Sequence, residues 1–237
     1  RNQMITRHFF LVVLSVFLCT SVFAQDRVRL KAEYVKIMNE GSYFDIQATA
    51  KVNDENVNVS KIELIIYNLV GDEQIELGKT ITNMQGKSRF MLKDLKSIQP
   101  DSSNTYNIDI SFAGNDAFSD ASKSIVFKDA AIEAKLVTID SVNYVTATLI
   151  DKSTDSLLIG QSLKVQIQRL FKSLPIGEEF NETDEDGTIL VPIPEGIPGV
   201  DGILAIEVIL SESEEFGTVK AIVNAPIVDI NYSVFWT

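Results

Sequence analysis

The sequence predicts an all-β protein made of two similar β-sandwiches that follow a removable leader. Three observations predict this class. Apolar and polar residues alternate along short segments such as Tyr106–Phe112, which is typical of a strand with one buried face. Segments of the first half recur in the same order in the second half, about one domain length later. The chain also opens with a basic stretch and a short apolar run, as exported proteins do.

The first 24 residues are predicted to be a secretory signal peptide. Two arginines and no acid precede the apolar run Phe9–Leu18, and Val22 and Ala24 fit the −3 and −1 positions of a cleavage site. Cleavage is therefore expected between Ala24 and Gln25. The apolar run is too short for a spanning helix, which needs about 20 residues. We expect an exported protein of the periplasm, the cell surface or the medium.

The only histidine, His8, and the only cysteine, Cys19, both lie in this leader. A mature chain without imidazole or thiol cannot use histidine-based triads, thiol chemistry or histidine-based zinc sites. It also cannot form disulfides, so apolar burial must stabilise it. The sequence therefore predicts no cofactor, no catalytic residues and a non-enzymatic role.

Acidic residues dominate the surface charge. The net charge is −12, and loss of Arg1 and Arg7 with the leader makes it −14. The acids are scattered, as on a solvated surface. Such a surface disfavours nucleic acid, so the expected partner is a protein or a surface glycan, of unknown identity.

The repeat predicts two units, residues 27–128 and 130–228, between the leader (1–24) and a short C-terminal segment (229–237). Each unit has about seven predicted strands, which is the size of an immunoglobulin-like sandwich. The short linker after Phe127 contains neither proline nor glycine, which predicts end-to-end units with restricted bending. The matched segments are Ile46–Thr49 with Val145–Thr148, Tyr67–Val70 with Gln168–Phe171, Ile108–Phe112 with Ile206–Leu210, and Asn115–Phe118 with Ser213–Phe216.

Two turns carry a resemblance to a known family. The segment Phe112–Ser122 and the following strand resemble the closing hairpin of bacterial immunoglobulin-like (Big-type) repeats, with a glycine, an Asn-Asp pair and an aromatic residue in the turn. Thr183–Gly187 is similar to the Thr-Asp-x-x-Gly turn of the family's middle hairpin, and Gln85-Gly86 resembles it in the first unit. The closing hairpin of the second unit, Ser211–Phe216, departs from the family because it lacks the glycine. The resemblance implies immunoglobulin-like sandwiches that act as spacer, adhesion or interaction modules.

One acidic segment is a candidate calcium site. Glu182, Asp184 and Asp186 precede Gly187 at alternate positions, like the first half of a calcium-binding loop. The twelfth position of that loop needs a glutamate and here is Ile193. A hairpin turn explains the same residues and is the favoured interpretation.

Two rival functions stay open. A carbohydrate-binding module would need a row of exposed aromatic side chains, for which Tyr43, Tyr67 and Tyr144 are the candidates. A carboxylate-based glycoside hydrolase would need a cleft with two carboxyl groups about 5–10 Å apart. Most other aromatic residues fall in strand patterns and are predicted to be core: Phe44, Phe90, Tyr106, Phe112 and Phe127.

The last residues, 229–237, are predicted to be either an additional strand or the approach to a membrane anchor beyond Thr237. Tyr232 and Trp236 suit either interpretation, because tyrosine and tryptophan favour both strands and bilayer interfaces. Membrane contact is expected only through such an anchor.

Overall fold

The computed structural model describes residues 25–92, 94–199 and 202–226. Their regular structure is β-strand except for one 3₁₀ turn at Leu95–Ser97, which confirms the all-β class. This part of the chain contains no helix with the length and hydrophobicity that crossing a membrane requires. The leader up to Ala24 and the segment 229–237 lie outside the described residues, so the predictions made for them stay predictions.

The first sandwich has nine strands in two layers. In one layer β2 pairs with β1 along one edge and with β3 and β6 along the other, while the second layer has the order β5-β4-β7-β9. The strands are β1 Asp26–Ile37, β2 Gly41–Val52, β3 Glu55–Asn58, β4 Glu63–Val70, β5 Glu73–Ile81, β6 Lys87–Leu92, β7 Tyr106–Phe112, β8 Phe118–Ser119 and β9 Ala121–Phe127.

The second sandwich repeats this plan. One layer holds β10, β11, β12 and β16, and the other has the order β14-β13-β17-β18. Seven strands per unit correspond to the prediction, and each unit adds two short ones: β3 and β8, then β12 and β15. The strands are β10 Ala130–Ile139, β11 Val142–Asp151, β12 Ser156–Leu157, β13 Ser162–Ile167, β14 Leu174–Pro175, β15 Asn181–Glu182, β16 Thr188–Pro192, β17 Ile203–Ser213 and β18 Gly217–Pro226.

Each sandwich has its own apolar core between its two layers. The strict alternation in β7 buries Ile108 and Ile110 completely, as the period-2 pattern predicts. Together the two layers and the strand order give immunoglobulin-like sandwiches. The unit limits 27–128 and 130–228 stay predictions, because pairing and packing do not test whether either unit folds separately.

Hydrogen-bond pairing corrects the repeat alignment in two strands. Lys87 and Thr188 occupy equivalent positions in their turns. Lys87 pairs with Gln47, and Thr188 pairs with Thr148, so Gln47 corresponds to Thr148. The residue before each then matches as well, which means that Ile46 corresponds to Ala147 and not to Val145. The match of Tyr67–Val70 with Gln168–Phe171 is also displaced by two residues. Tyr67 pairs with Asp109 of β7, and Gln166 pairs with the equivalent Glu207 of β17, so Tyr67 corresponds to Gln166. A shift of two residues keeps every side chain on the same face, which is why the pattern alone did not reveal it.

The other two matches are confirmed. Ile108–Phe112 and Ile206–Leu210 pair equivalently with their neighbours in β9 and β18. Asn115 and Ser213 have the same role in the two closing hairpins, since the side-chain oxygen of each accepts hydrogen bonds from the backbone N–H groups two and three residues later. The serine therefore shapes the second hairpin without the family's glycine.

Candidate functional site

The two sandwiches are joined by direct strand pairing. Val35–Ile37 at the end of β1 pair in parallel with Thr218–Lys220 at the start of β18, and the Met38 N–H donates to the Lys220 carbonyl at 2.8 Å. The Met38 side chain then packs against the core of the second sandwich. As a result one ten-stranded sheet runs through both sandwiches. We call this region, with the linker Lys128–Asp129, the junction.

Side chains at the junction fix both residues of the linker. The Lys36 ammonium contacts the Asp129 carboxylate at 2.5 Å and donates to the Ala130 carbonyl at 2.9 Å. Lys128 donates to Glu215 twice, from its backbone N–H to the carbonyl at 2.7 Å and from its ammonium to the carboxylate at 2.6 Å. These bonds tie the linker to β1 on one side and to the β17–β18 hairpin on the other, so bending there must break several contacts at once.

A glycine permits the close approach of the two sandwiches. Gly217 has a φ of +66°, and a Cβ atom there would lie 2.7 Å from the carbonyl oxygen of Tyr34. Real Cβ atoms do not approach oxygen so closely, so any other residue forces β1 and β18 apart. Next to Gly217, the Thr218 hydroxyl donates to the Glu33 carboxylate across the junction.

An aromatic stack lies beneath the junction on the side of the first sandwich. The Tyr34 and Phe127 rings are parallel with centroids 3.7 Å apart, Tyr106 stacks on Phe127 at 5.2 Å, and Phe44 meets Phe127 at 6.1 Å in an edge-on arrangement. Burial, and next the negative charge of Asp129, raises the pKa of the Tyr34 phenol above its usual range, so it stays neutral. The stack therefore supports the end of β1 with uncharged side chains.

A shallow groove of about 580 Å³ lies beside the junction on the outer face of β1, β2 and β6. Arg89 crosses this face, donating to both oxygens of Asp45 at 2.7 and 2.9 Å. Its guanidinium also lies 3.9 Å above the centroid of the Tyr43 ring. Tyr43 lies on this outer face, opposite to the core, as predicted, but it is only 7% exposed and so offers no open ring for a sugar. The cation–π contact with Arg89 covers the ring. Because Arg89 lies 46 positions away in the sequence, the residues around Tyr43 could not predict this contact.

The structure does not assemble a row of the three candidate tyrosines. Tyr67 lies on β4 of the first sandwich and Tyr144 on β11 of the second, and both are half-buried. The aromatic residues predicted to be core are confirmed. Phe44, Phe112 and Phe127 are buried. Phe90 and Tyr106 are partly buried and pack against the same core.

The groove does contain two carboxylates, on Glu33 and Asp45, which are cross-strand neighbours. Both already accept hydrogen bonds from side chains, Glu33 from Thr218 and Asp45 from Arg89. Each is therefore held by a structural donor, which gives the hydrolase alternative no support from this groove.

The acidic segment of the second sandwich forms a hairpin turn. One Asp184 carboxylate oxygen accepts from the backbone N–H of Asp186 at 3.0 Å and of Thr188 at 2.9 Å, and Gly187 has a φ of +64°. Glu182, Asp184 and Asp186 are all exposed. Among the described residues no three acidic, histidine or cysteine side chains are grouped so that they could hold a metal ion.

The first sandwich has the same turn without an acid. The Asn83 side-chain oxygen accepts from the Gln85 N–H at 2.9 Å and the Lys87 N–H at 3.0 Å. The Thr82 hydroxyl donates to the Val59 carbonyl, and the Thr183 hydroxyl donates to the equivalent Leu158 carbonyl. The turn of the first sandwich therefore has the form Thr-Asn-x-x-Gly over Thr82–Gly86, which extends the resemblance at Gln85-Gly86 by three residues.

We expect Asp184→Asn to leave the melting temperature unchanged, because Asn83 shows that an amide oxygen can hold this turn. Adding calcium or a chelator should change neither protein's melting curve. The measurement is differential scanning calorimetry with both additives. A melting temperature that falls on chelation in the parent protein, and not in Asp184→Asn, would instead establish a calcium site.

Comparisons with known proteins identify no family. No family model matches the chain, and no curated protein matches it. Similar solved structures include a tetra-tandem repeat from the extending region of a large adhesion protein (TM-score 0.31, 11% identity, 85% of this chain and 49% of that one). They also include a β-glucuronidase of Parabacteroides merdae (0.30, 13%, 85% and 25%) and the D0–D1 domain of intimin (0.29, 19%, 83% and 96%).

The chain thus spans about half of the adhesion-protein repeat and a quarter of the glucuronidase. The immunoglobulin-like fold described above rests on the strand pairing itself.

Proposed function

We propose that this protein is an exported, non-catalytic module of the cell envelope whose two sandwiches act together as one stiff spacer. The observation that carries this proposal is the parallel pairing of β1 with β18, which replaces a free linker by a shared sheet. Export follows from the predicted leader.

The contacts at the junction oppose bending. Three residue pairs of the parallel ladder, the Met38 hydrogen bond and the two lysine contacts to the linker region all connect the sandwiches. Each backbone hydrogen bond contributes about 1 kcal/mol. Because the bonds must open together for the sandwiches to swing apart, the closed arrangement is favoured over a hinged one.

The same architecture leaves strand edges for a partner. β5 forms the edge of its layer and is exposed along much of its length, with Ile75 and Ile81 among the exposed apolar residues. Exposed edges accept partner strands through backbone hydrogen bonds, so an interaction or adhesion role needs no deep pocket.

Distance measurements between the sandwiches test the proposal. Spin labels on cysteines introduced at Lys51 and Lys164, exposed strand positions on the two sandwiches, should give one narrow distance distribution by double electron–electron resonance. A broad or multimodal distribution in the parent protein would contradict the stiff spacer.

Gly217→Ala should broaden that distribution, because the new methyl group meets the Tyr34 carbonyl. Gly196→Ala is the matched control: its φ of +74° is similar, but its Cβ would meet nothing within 4 Å. Both substitutions share the backbone cost of about 1 kcal/mol for alanine at positive φ. If the two variants give equal widths, the close approach at Gly217 does not hold the junction together.

A further inference from the structure

The second sandwich carries its own copy of the edge that holds the junction together. β10 corresponds to β1, and strand pairing places Val137–Ile139 at the positions of Val35–Ile37. In the first sandwich those residues pair with β18. Among the described strands β10 pairs with β11, and none of them pairs with the outer side of Val137–Ile139. We call these three residues the acceptor edge.

Exposure shows that this edge lacks the cover that its counterpart has. Val35 is 4% exposed, whereas Val137 is half-buried. Ile37 is half-buried, whereas Ile139 is 44% exposed. Ile203 is 46% exposed, whereas Thr105, its counterpart in the first sandwich, is half-buried in a small apolar crevice beside Phe127 and Glu215. The second sandwich therefore presents an uncovered, more apolar version of the junction face.

The first sandwich carries the matching half. β9 corresponds to β18, and Asp120–Ser122 stand where Thr218–Lys220 stand. Thr218–Lys220 are covered by β1, but β9 pairs with β7 alone among the described strands. No described strand is hydrogen-bonded to the outer side of Asp120–Ser122, which we call the donor edge.

The start of β1 lies beside the donor edge without occupying it. Asp26–Arg27 pair in parallel with Phe118–Ser119, immediately before the donor edge. In the second sandwich Lys128 makes the equivalent contact, because its N–H donates to the Glu215 carbonyl. Despite this contact, Thr218–Lys220 of β18 pair with β1. A contact of this kind is therefore compatible with a second strand on the donor edge.

The side chains beside the two edges are electrostatically complementary. In the junction the Thr218 hydroxyl bonds to the Glu33 carboxylate. At the equivalent positions Asp120 replaces the threonine and Lys135 replaces the glutamate, and both are exposed. Docking the donor edge on the acceptor edge in the register of the junction would bring these opposite charges together.

We infer that the protein associates head to tail with a second copy of itself, the donor edge of one molecule pairing in parallel with the acceptor edge of the next. The two edges are different surfaces on different sandwiches, so each added copy leaves one of each free. Contacts of this heterologous kind do not produce two-fold dimers, and they produce open chains when successive copies do not close into a ring. Ser119 stands in place of Gly217, so the intermolecular contact is less close and weaker than the junction within the chain.

Sedimentation velocity of the purified protein tests this inference. Between about 10 µM and about 1 mM the weight-average sedimentation coefficient should rise without reaching a plateau. Lys135→Glu and Asp120→Lys each place like charges across the contact, so each should lower the association constant at least about tenfold. Both side chains are exposed, so thermal melting should show each variant to be folded like the parent.

Charge swapping separates this contact from other modes of association. In an equimolar mixture of the two single variants, the lysine introduced by Asp120→Lys faces the glutamate introduced by Lys135→Glu, and the rise in sedimentation coefficient should return. The double variant should restore it too. A parent protein that stays monomeric, a plateau at the mass of a dimer, or single variants that associate like the parent would each overturn the inference. The label distances within one molecule test the stiff junction separately, so either idea can fail alone.

Discussion

Phe127→Ala should lower the free energy of unfolding by about 3–5 kcal/mol, the usual cost of removing a buried phenylalanine. Phe127 is 1% exposed, and its ring packs against the rings of Tyr34, Phe44 and Tyr106. Its removal leaves a cavity beneath the end of β1, where the two sandwiches meet. Urea unfolding followed by circular dichroism measures the change.

Val126→Ala is the control for this substitution. Val126 precedes Phe127 on the same strand but is 53% exposed, so its truncation should change the free energy of unfolding by no more than about 0.5 kcal/mol. Equal effects of the two substitutions would show that the aromatic stack does not stabilise the first sandwich.

Gly86→Ala should cost about 2–4 kcal/mol, the sum of two effects. Gly86 has a φ of +70°, which costs alanine about 1 kcal/mol. In addition, the new Cβ would lie 2.5 Å from the Ala48 carbonyl oxygen and 3.1 Å from the Val59 nitrogen, both backbone atoms that cannot turn aside. Relief of such overpacking costs a further 1–3 kcal/mol or so.

Gly71→Ala isolates the conformational part of that cost. Gly71 has a φ of +59°, and nothing lies within 4 Å of its Cβ position. Its substitution should cost only about 1 kcal/mol in the same urea experiment. If Gly86→Ala is no worse than Gly71→Ala, the turn at Gly86 has room to move away from β2.

Residue alternation predicted the sandwiches because it reflects a local property. A strand with one face in the core must alternate, so Tyr106–Phe112 could be assigned without knowledge of its neighbours. Short turns are local as well, and Asn115 and Asp184 form the side-chain hydrogen bonds that their turns require. These features account for the fold class, the repeat and most of the core.

The junction could not be predicted in this way, because its contacts join residues far apart in the chain. Glu33 and Thr218 are 185 positions apart, and nothing in either segment marks it as a contact. Gly217 reads as an ordinary turn glycine until Tyr34 is seen beside it. The cover that Arg89 gives Tyr43 was missed for the same reason: it depends on which strand becomes the neighbour.

The parallel direction of β1 and β18 determines how the molecule would respond to tension. A pull at Gln25 draws β1 towards its start, and an opposite pull at Pro226 draws β18 towards its end. The two strands then slide past each other in shear, so the hydrogen bonds between Val35–Ile37 and Thr218–Lys220 share the load instead of opening one by one. Force passes from sandwich to sandwich through this ladder, and the covalent linker is shielded from it.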